Sequence, residues 1–180
     1  MKEILIVVDM QEGFSKSEEI RKLVVKIKEL LTMRLFDVVI ATKFANNDGS
    51  MFETLLSWTD MKDEADHRIC AEIVPYIDIT MKKQCYSAVN DELLRVLKEN
   101  NNGYLPERVF LVGMDTDCCV LSTAISLFEV NIRPIVLEEY TGSTGGAEAH
   151  RAGLQCLRRI IGNRQICNKR GLNKESLEEI

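Results

Sequence analysis

The chain has 180 residues, of which 46% are hydrophobic, and it carries a net charge of -5. This length and apolar content are typical of one unit with a full core, so we predict a single domain over residues 1–180. The acidic balance leaves no basic patch for nucleic acid, and no apolar run reaches the roughly 18 residues of a membrane span. The amino end, MKEILIVVDM, is typical of a strand rather than a signal peptide, so we expect a cytoplasmic protein.

Strands and helices are predicted to alternate along the chain. Short apolar or β-branched runs predict six strands, at residues 4–8, 36–42, 77–81, 109–112, 134–137 and 165–167. Helical spacing predicts helices at residues 17–33, 50–56, near 93–100, 119–130 and 147–161. Ser15 with Glu18 is expected to cap the first helix, residues 58–75 to be irregular, and the tail from Arg170 to be a solvated helix or frayed end. Strands separated by helices imply an α/β fold with a parallel, doubly wound sheet.

The segment RVFLVGMDTDCCVLS, residues 108–122, indicates a buried strand that ends on Gly113 and delivers two adjacent cysteines to the start of a helix. Backbone amides at a helix N-terminus stabilise an anion, so a thiol there can ionise near neutral pH and act as a nucleophile. The alternative is inert packing, because free cysteine is among the most buried residue types. The six cysteines contain no C-x-x-C pair, so we predict neither a zinc site nor a disulfide framework.

Two further polar residues follow predicted strands. Asp9 comes directly after the run ILIVV, where a carboxylate can act as a base or can cap a turn. Lys83 follows the apolar segment 77–81, and its alternative is an ordinary solvated lysine. Because open α/β sheets place active sites at the carboxyl ends of their strands, Asp9, Lys83 and the cysteine pair are candidates for one site.

Three motifs give the chain a resemblance to the isochorismatase-like cysteine hydrolases, a superfamily that includes nicotinamidases and carbamoylsarcosine amidases. The motifs are DMQ-x-x-F at residues 9–14, K-x-x-Y-S-A at residues 83–88 and G-x-x-T-D-x-C-V-x-x-T-A at residues 113–124. The likeness extends from about Lys2 to Cys167. It implies a three-layer fold with strand order 3-2-1-4-5-6, helices on both faces of the sheet, and a homo-oligomer, either a dimer or a tetramer.

The resemblance also implies roles for individual residues. The family nucleophile is the cysteine directly before a valine, which here is Cys119. Asp9 is implied as general base and Lys83 as its electrostatic partner. A cis peptide is implied between Met114 and Asp115, with the amides of Asp115 and Cys119 forming an oxyanion hole. The implied reaction is hydrolysis of the carbon–nitrogen bond of a small-molecule amide through a thioester.

Departures from the family narrow these expectations. Nicotinamidases carry a metal-binding cluster of Asp and His residues after the second strand, whereas this chain has TKFANNDGSMFE there, without histidine. Because His67 and His150 are the only histidines, we expect no metal, no other cofactor and no nicotinamidase activity. True isochorismatases replace the cysteine, so Cys119 favours amide chemistry. His150 is interpreted as a structural helix residue that bonds a neighbouring loop.

Substrate contacts are expected from the loops at the same sheet edge, with Gln11 also a candidate to orient Asp9 or its loop. The predicted pocket residues are Gln11, Phe14, Phe44, Asn46 and Tyr86. Trp58 is either a further wall or local core. The glycines of TGSTGGAEAH, residues 141–150, permit a turned loop that forms another wall or an ordinary surface turn.

Two other functions stay open. The fold can support ether hydrolysis of the isochorismatase type. Alternatively, Cys119 beside Cys118 can act as a redox sensor or the protein as a binding partner, since exposed thiolates react with peroxide. Asp9 and Lys83 argue against a sensor, which needs neither.

Overall fold

Six strands form one sheet in the computed structural model, which describes residues 2–169 and 171–179. The strands are β1 (Ile4–Val8), β2 (Val38–Phe44), β3 (Ile79–Lys83), β4 (Arg108–Gly113), β5 (Arg133–Thr141) and β6 (Ile166–Cys167). The helices are α1 (Glu18–Thr32), α2 (Met51–Thr54), α3 (Glu64–His67), α4 (Asp91–Glu99), α5 (Leu121–Glu129), α6 (Gly146–Ile160) and α7 (Lys174–Glu178). All neighbouring strands are parallel, in the order β3-β2-β1-β4-β5-β6. The predicted fold class and strand order are confirmed.

The central strand β1 separates two hydrophobic cores. Ile4, Ile6 and Val8 pack into one cluster with apolar residues of α4, α5 and α6. Leu5 and Val7 point to the other face and pack with α1 and α7. Successive residues of a strand face opposite sides, so five consecutive buried positions in β1 require a helical layer on each face.

The first helix begins later than its predicted cap. Ser17, not Ser15, is the N-cap, and its side chain accepts a hydrogen bond from the Ile20 amide at 3.3 Å. The capping box predicted at Ser15 is wrong because the chain turns inward first, with the Ser15 amide bonded to the Gln11 carbonyl at 3.1 Å. Ser15 is therefore buried, and its hydroxyl lies 3.1 Å from the Cys70 sulfur.

Strands near the carboxyl edge extend further than the hydrophobic pattern predicted. β2 and β3 each end two residues beyond their predicted ends, so that Phe44 pairs with Lys83. β5 continues to Thr141, which pairs with Gly113 after a register shift. These extra pairings include the polar residues Lys83 and Thr141 in the sheet, which the apolar pattern alone did not indicate.

The carboxyl-terminal tail is packed in part rather than wholly solvated. Leu172 and Leu177 are buried in the cluster beside α1, while Arg170 lies outside the described residues. Residues 58–75 are mostly irregular as predicted, but they include α3.

Candidate active site

Strand β4 ends on a glycine because the backbone of β1 approaches too closely for any side chain. Gly113 has φ +110°, and a Cβ there would overlap the carbonyl oxygen of Val8. The next peptide, between Met114 and Asp115, is cis. The chain thus leaves the sheet sharply beside the end of β1.

A π-helical turn, Thr116–Val120, follows the cis peptide and carries the candidate nucleophile. The carbonyl oxygen of Asp115 accepts hydrogen bonds from the amides of Cys118 and Val120, both at 3.0 Å. This turn places Cys119 at the entrance to α5, with 9% of its surface exposed. The sequence predicted a helix start here but not its π geometry.

Lys83 joins the ends of the chain segments that meet at Cys119. Its ammonium lies 2.7 Å from Asp9 Oδ2 and 3.3 Å from Cys119 Sγ, and it donates to the carbonyls of Cys85 and Tyr86 at 2.9 and 3.0 Å. The contact with Asp9 is an ion pair rather than an aligned hydrogen bond, and Oδ2 has no hydrogen-bond partner among the described residues. That oxygen therefore keeps a lone pair that can receive a proton.

Thr42 holds the Asp9 carboxylate in this position, and the sequence reasoning missed it. Asp9 has φ +49°, and its amide donates to Thr42 Oγ1 at 3.0 Å while the Thr42 hydroxyl donates to Asp9 Oδ1 at 2.6 Å. The Asp9 side chain is thereby committed to Thr42 and Lys83 rather than to capping its own turn. A polar residue inside the apolar run of β2 was the available signal.

Burial and charge set the protonation of the three groups. Burial raises the pKa of the Cys119 thiol, and the Asp9 carboxylate raises it further, which outweighs the lowering by Lys83. This contradicts the expectation of a thiol that ionises near neutral pH. Burial lowers the pKa of Lys83, but Asp9 and Cys119 together raise it by more, so the ammonium persists. The resting site is a protonated thiol beside a carboxylate–ammonium pair.

A cavity of about 380 Å³ opens over Cys119 and has an aromatic wall. We define this aromatic wall as Phe14, Phe44, Phe52, Trp58 and Tyr86, all of which line the cavity. The rings contact one another, with Phe14 and Trp58 stacked at 6.1 Å and Phe52 edge-on to Tyr86 at 5.0 Å. Phe14, Phe44 and Tyr86 thus lie where the sequence placed them, and Phe52 is an addition that no motif indicated.

Two predicted pocket residues support the wall from behind instead of lining the cavity. The buried Gln11 amide donates to the Phe44 carbonyl at 2.9 Å and accepts from the Phe44 amide at 2.7 Å. Asn46 donates to the carbonyls of Trp58 and Asp60, both at 3.1 Å. Their side chains turn inward because the carbonyls of these loops need donors. The Gln11 backbone amide donates to the Asp9 carbonyl at 2.8 Å, while its side chain bonds the Phe44 backbone rather than the Asp9 carboxylate.

The loop between β5 and α6 is fastened to the turn that carries Cys119. The Thr144 amide and hydroxyl donate to the two oxygens of the Asp115 carboxylate at 2.8 and 2.6 Å. The Gly142 carbonyl accepts from both the amide and the hydroxyl of Thr116, each at 2.9 Å. Thr144 also lines the cavity, so this glycine-containing loop forms a wall rather than a plain surface turn.

His150 lies behind that loop, away from the sulfur. Its Nδ1 is 2.8 Å from Thr116 Oγ1. Because the Thr116 hydroxyl already donates to Gly142, Nδ1 must be the donor, which assigns the tautomer. Burial lowers the pKa of His150, so the ring is neutral near pH 7. This arrangement agrees with the interpretation of His150 as a structural residue.

No group of three or more His, Cys, Asp or Glu side chains is placed to hold a metal ion within residues 2–169 and 171–179. In the same part of the chain, no helix combines the length and apolar character needed to cross a membrane.

The molecule is a doubly wound α/β protein in which a cysteine, an aspartate and a lysine meet at one edge of the sheet, and comparison with known proteins identifies its family. The isochorismatase domain model matches residues 3–165, so the chain belongs to the isochorismatase family. No curated protein sequence matches the chain significantly.

Solved structures share the fold at low sequence identity. A nicotinamidase from Bacillus subtilis is 22% identical, with a TM-score of 0.78, and the match covers 93% of this chain and 100% of that one. An N-carbamoylsarcosine amidase from Thermoplasma acidophilum is 24% identical, with a TM-score of 0.74, and the match covers 90% and 94%. An isochorismatase-like hydrolase from Alkaliphilus metalliredigens is 20% identical, with a TM-score of 0.74, and the match covers 89% and 92%.

Proposed function

We propose that this isochorismatase-family hydrolase is a cysteine amidohydrolase that cleaves the carbon–nitrogen bond of a small-molecule amide through a thioester. The observation that carries the proposal is the contact of one buried ammonium, Lys83, with both the Asp9 carboxylate and the Cys119 sulfur at the base of a cavity. A nucleophile, a base and a group that holds both are the parts that covalent acyl transfer needs. The similar structures include two proteins named as amidases.

Acylation begins from the protonated thiol. Asp9 Oδ2 takes the thiol proton while the sulfur attacks the amide carbon, and Lys83 stabilises the thiolate as it forms. The carbonyl oxygen becomes an oxyanion received by the amides of Asp115 and Cys119. The carbon–nitrogen bond then breaks as the nitrogen takes the proton from Asp9 and leaves as ammonia or an amine. Removing one oxyanion donor typically costs a factor of about 100 to 1,000 in rate.

Deacylation reverses the same proton path. Asp9 takes a proton from a water molecule as that water attacks the thioester carbon. The carbon–sulfur bond breaks, the proton returns to the Cys119 sulfur, and the acid leaves. The raised pKa of Cys119 requires this coupling to Asp9, since a free thiolate is scarce at neutral pH.

The redox-sensor alternative has less support, because the raised pKa values of both thiols disfavour a thiolate. Burial, with Asp117 and Asp115, raises the pKa of Cys118 to about 11. Peroxide attacks thiolates, and the raised pKa values keep both Cys118 and Cys119 protonated in the resting site. Ether hydrolysis would give the Cys119 thiol no covalent role. The contact between the Lys83 ammonium and the Cys119 sulfur therefore does not favour it.

The proposal is tested by ammonia release from a panel of small amides, nicotinamide and ureido compounds, using wild type, Cys119→Ala and the matched neighbour variant Cys118→Ala. We expect release by wild type and Cys118→Ala and none by Cys119→Ala. Intact mass spectrometry during turnover should show an acyl adduct on wild type and on Cys118→Ala, but not on Cys119→Ala. Substantial hydrolysis by folded Cys119→Ala would contradict covalent catalysis by this thiol.

A further inference from the structure

The cavity contains a second carboxylate, Asp115, that the proposed chemistry uses only through its backbone amide. Asp115 lines the cavity and its side chain is partly buried. Thr144 fixes both carboxylate oxygens, through its amide at 2.8 Å and its hydroxyl at 2.6 Å. A carboxylate has about four acceptor positions, so each oxygen retains one for a ligand. Asp115 is therefore a preorganised acceptor within the substrate space.

The surroundings of this carboxylate suit a cation. The aromatic wall lines the same cavity, and the faces of aromatic rings attract positive charge. Burial raises the pKa of the Tyr86 phenol, and Cys118, Cys119 and, least, Asp115 add to the rise, so this ring of the wall lies near Asp115. A cage of rings with one carboxylate is the arrangement that binds ammonium groups.

Groups that could bind an anionic substrate are correspondingly scarce. No arginine lines the cavity within the described part of the chain, and its one lining lysine, Lys16, has a side chain that is 66% exposed and faces Asp66 at 3.8 Å. The buried ammonium of Lys83 is already paired with Asp9. A substrate carboxylate would thus enter a cavity that also contains Asp60 and Asp115, without a free basic partner inside it.

The position of Asp115 supplies a further physical reason. The same residue donates one of the two proposed oxyanion amides, and an uncompensated carboxylate there would repel the developing negative charge. A cation on the substrate would neutralise this carboxylate at the moment when the oxyanion forms.

We propose that Asp115 and the aromatic wall select an amide that carries a cationic ammonium group close to the reacting carbonyl, and that they discriminate against anionic substrates. This inference rests on the proposed amidohydrolase function and specifies its substrate class. Asp115 acts here as a specificity residue, while Thr144 is a positioning residue that holds it.

The pKa of Asp115 determines the pH range in which this carboxylate is charged and can pair with a cation. Burial raises the pKa of this carboxyl, Asp117 and Asp9 add to the rise, and the two hydrogen bonds from Thr144 oppose it. Tyr86 and Cys118 are the other titratable groups coupled to it. A bound ammonium would favour the ionised form, so cation selectivity should weaken as pH falls through the pKa of Asp115.

The test uses three amides of similar size and different charge: trimethylammonioacetamide, its uncharged isostere 3,3-dimethylbutanamide, and succinamate. For wild type we expect kcat/KM for the cation to exceed that for the isostere by at least about tenfold, and succinamate to be the poorest. The readout is the ratio of kcat/KM for the cation to kcat/KM for the isostere, taken within one variant. A displaced Asp115 amide would lower the rate for both substrates, so this loss cancels in the ratio.

Two variants separate charge from loop anchoring. Asp115→Asn retains two hydrogen bonds with Thr144 but removes the charge, and we expect its cation-to-isostere ratio to fall to about one. Thr144→Val removes only the hydroxyl donor and should keep most of the ratio. A ratio that survives Asp115→Asn, or that falls equally in Thr144→Val, would overturn recognition by charge.

A binding measurement distinguishes this inference from the proposed function. Trp58 is the only tryptophan of the chain and lines the cavity, so its fluorescence reports ligand binding to Cys119→Ala. We expect the cation to bind at least about tenfold more tightly than the isostere, and equal binding would overturn the inference. Ammonia release from all amides without charge preference would leave the amidase proposal intact. Selective cation binding by a wild type that hydrolyses none of them would instead refute the amidase.

Discussion

The base and the wall of the cavity are built in opposite ways. The base, which we call the floor, consists of Asp9, Lys83 and Gly113, at or directly after strand ends, and of Cys119 in the turn that follows β4. Its ionic side chains are almost fully buried, 1% exposed for Asp9 and 3% for Lys83. The aromatic wall stands mainly on loops and short helices, and Tyr86 within it is 41% exposed.

Under the proposed function, this difference separates the residues of the chemistry from those of substrate selectivity. Residues of the floor are positioned by the sheet itself, so changing them disturbs the fold and the reaction together. Residues of the wall contact mainly one another and the cavity, so changing them should alter which substrate binds while leaving the floor intact. Each prediction below tests one side of this division.

The largest effect is expected from Lys83→Met. Removing one member of a buried ion pair leaves Asp9 charged and unpaired, which costs about 3 to 5 kcal/mol of the free energy of unfolding. Amide hydrolysis should be lost as well, because the thiolate loses its counterion. Urea unfolding and ammonia release measure the two effects, with Lys82→Met, an exposed neighbour on β3, as the control.

The sign of the pH dependence follows from the raised pKa of Lys83. A raised pKa means that the pair contributes its full stability below the ordinary lysine range and loses it only as pH rises above that range. Lys83→Met should therefore be destabilised throughout the neutral range. If Lys83→Met were as stable as Lys82→Met at pH 7, the ion pair would not hold the floor together.

A somewhat smaller loss is expected from Gly113→Ala. The new methyl would overlap the Val8 carbonyl, a backbone atom that cannot rotate away, and the positive φ adds about 1 to 2 kcal/mol. Together with overpacking, we expect the free energy of unfolding to fall by roughly 3 kcal/mol.

Gly103→Ala is the matched control, since Gly103 also has a positive φ, +86°, but has nothing near its missing side chain. The fall in the free energy of unfolding of Gly103→Ala should therefore report only the conformational cost of the positive φ. Equal losses in the two variants would mean that the approach of β1 and β4 does not require glycine.

The residues of the floor were predicted from the sequence more completely than those of the wall, for a physical reason. Asp9 directly follows an apolar run and Cys119 stands in a specific motif, so position along the chain was enough to identify them. Gln11 and Asn46 were expected in the pocket, but they bond loop carbonyls instead, and such pairing depends on the folded loops. Phe52 was missed because its place in the wall depends on how the four-residue helix α2 packs.

The same limit explains the wrong expectation about the thiol. Its position at a helix start suggested an easily ionised cysteine, whereas burial and Asp9 raise the pKa of Cys119. Neither burial nor the approach of Asp9 can be read from residues 108–122 alone. The sequence predicted a candidate nucleophile but not its electrostatic state.

This electrostatic state predicts an order of alkylation. With iodoacetamide near pH 7.5 and no substrate, the exposed Cys85 and Cys156 should react at least about tenfold faster than Cys119, as measured by peptide mass mapping. Raising the pH should speed the reaction of Cys119 only above the usual thiol range. Asp9→Asn should accelerate it, because the carboxylate that opposes ionisation is removed. Preferential labelling of Cys119 in wild type at neutral pH would mean that the helix start controls the thiol.

The smallest effect is expected in the wall, from Trp58→Leu. Leucine keeps apolar volume but removes the ring that stacks on Phe14, and one aromatic contact contributes about 0.5 to 1.5 kcal/mol. We therefore expect KM for the preferred amide to rise roughly two- to tenfold, with kcat changed less than about twofold. Leu56→Ala, an exposed residue of the same cavity, is the control for lost apolar surface. A fall in kcat at constant KM would mean that Trp58 stabilises the transition state. The division between floor and wall would then fail, because a loop residue would contribute to the chemical step.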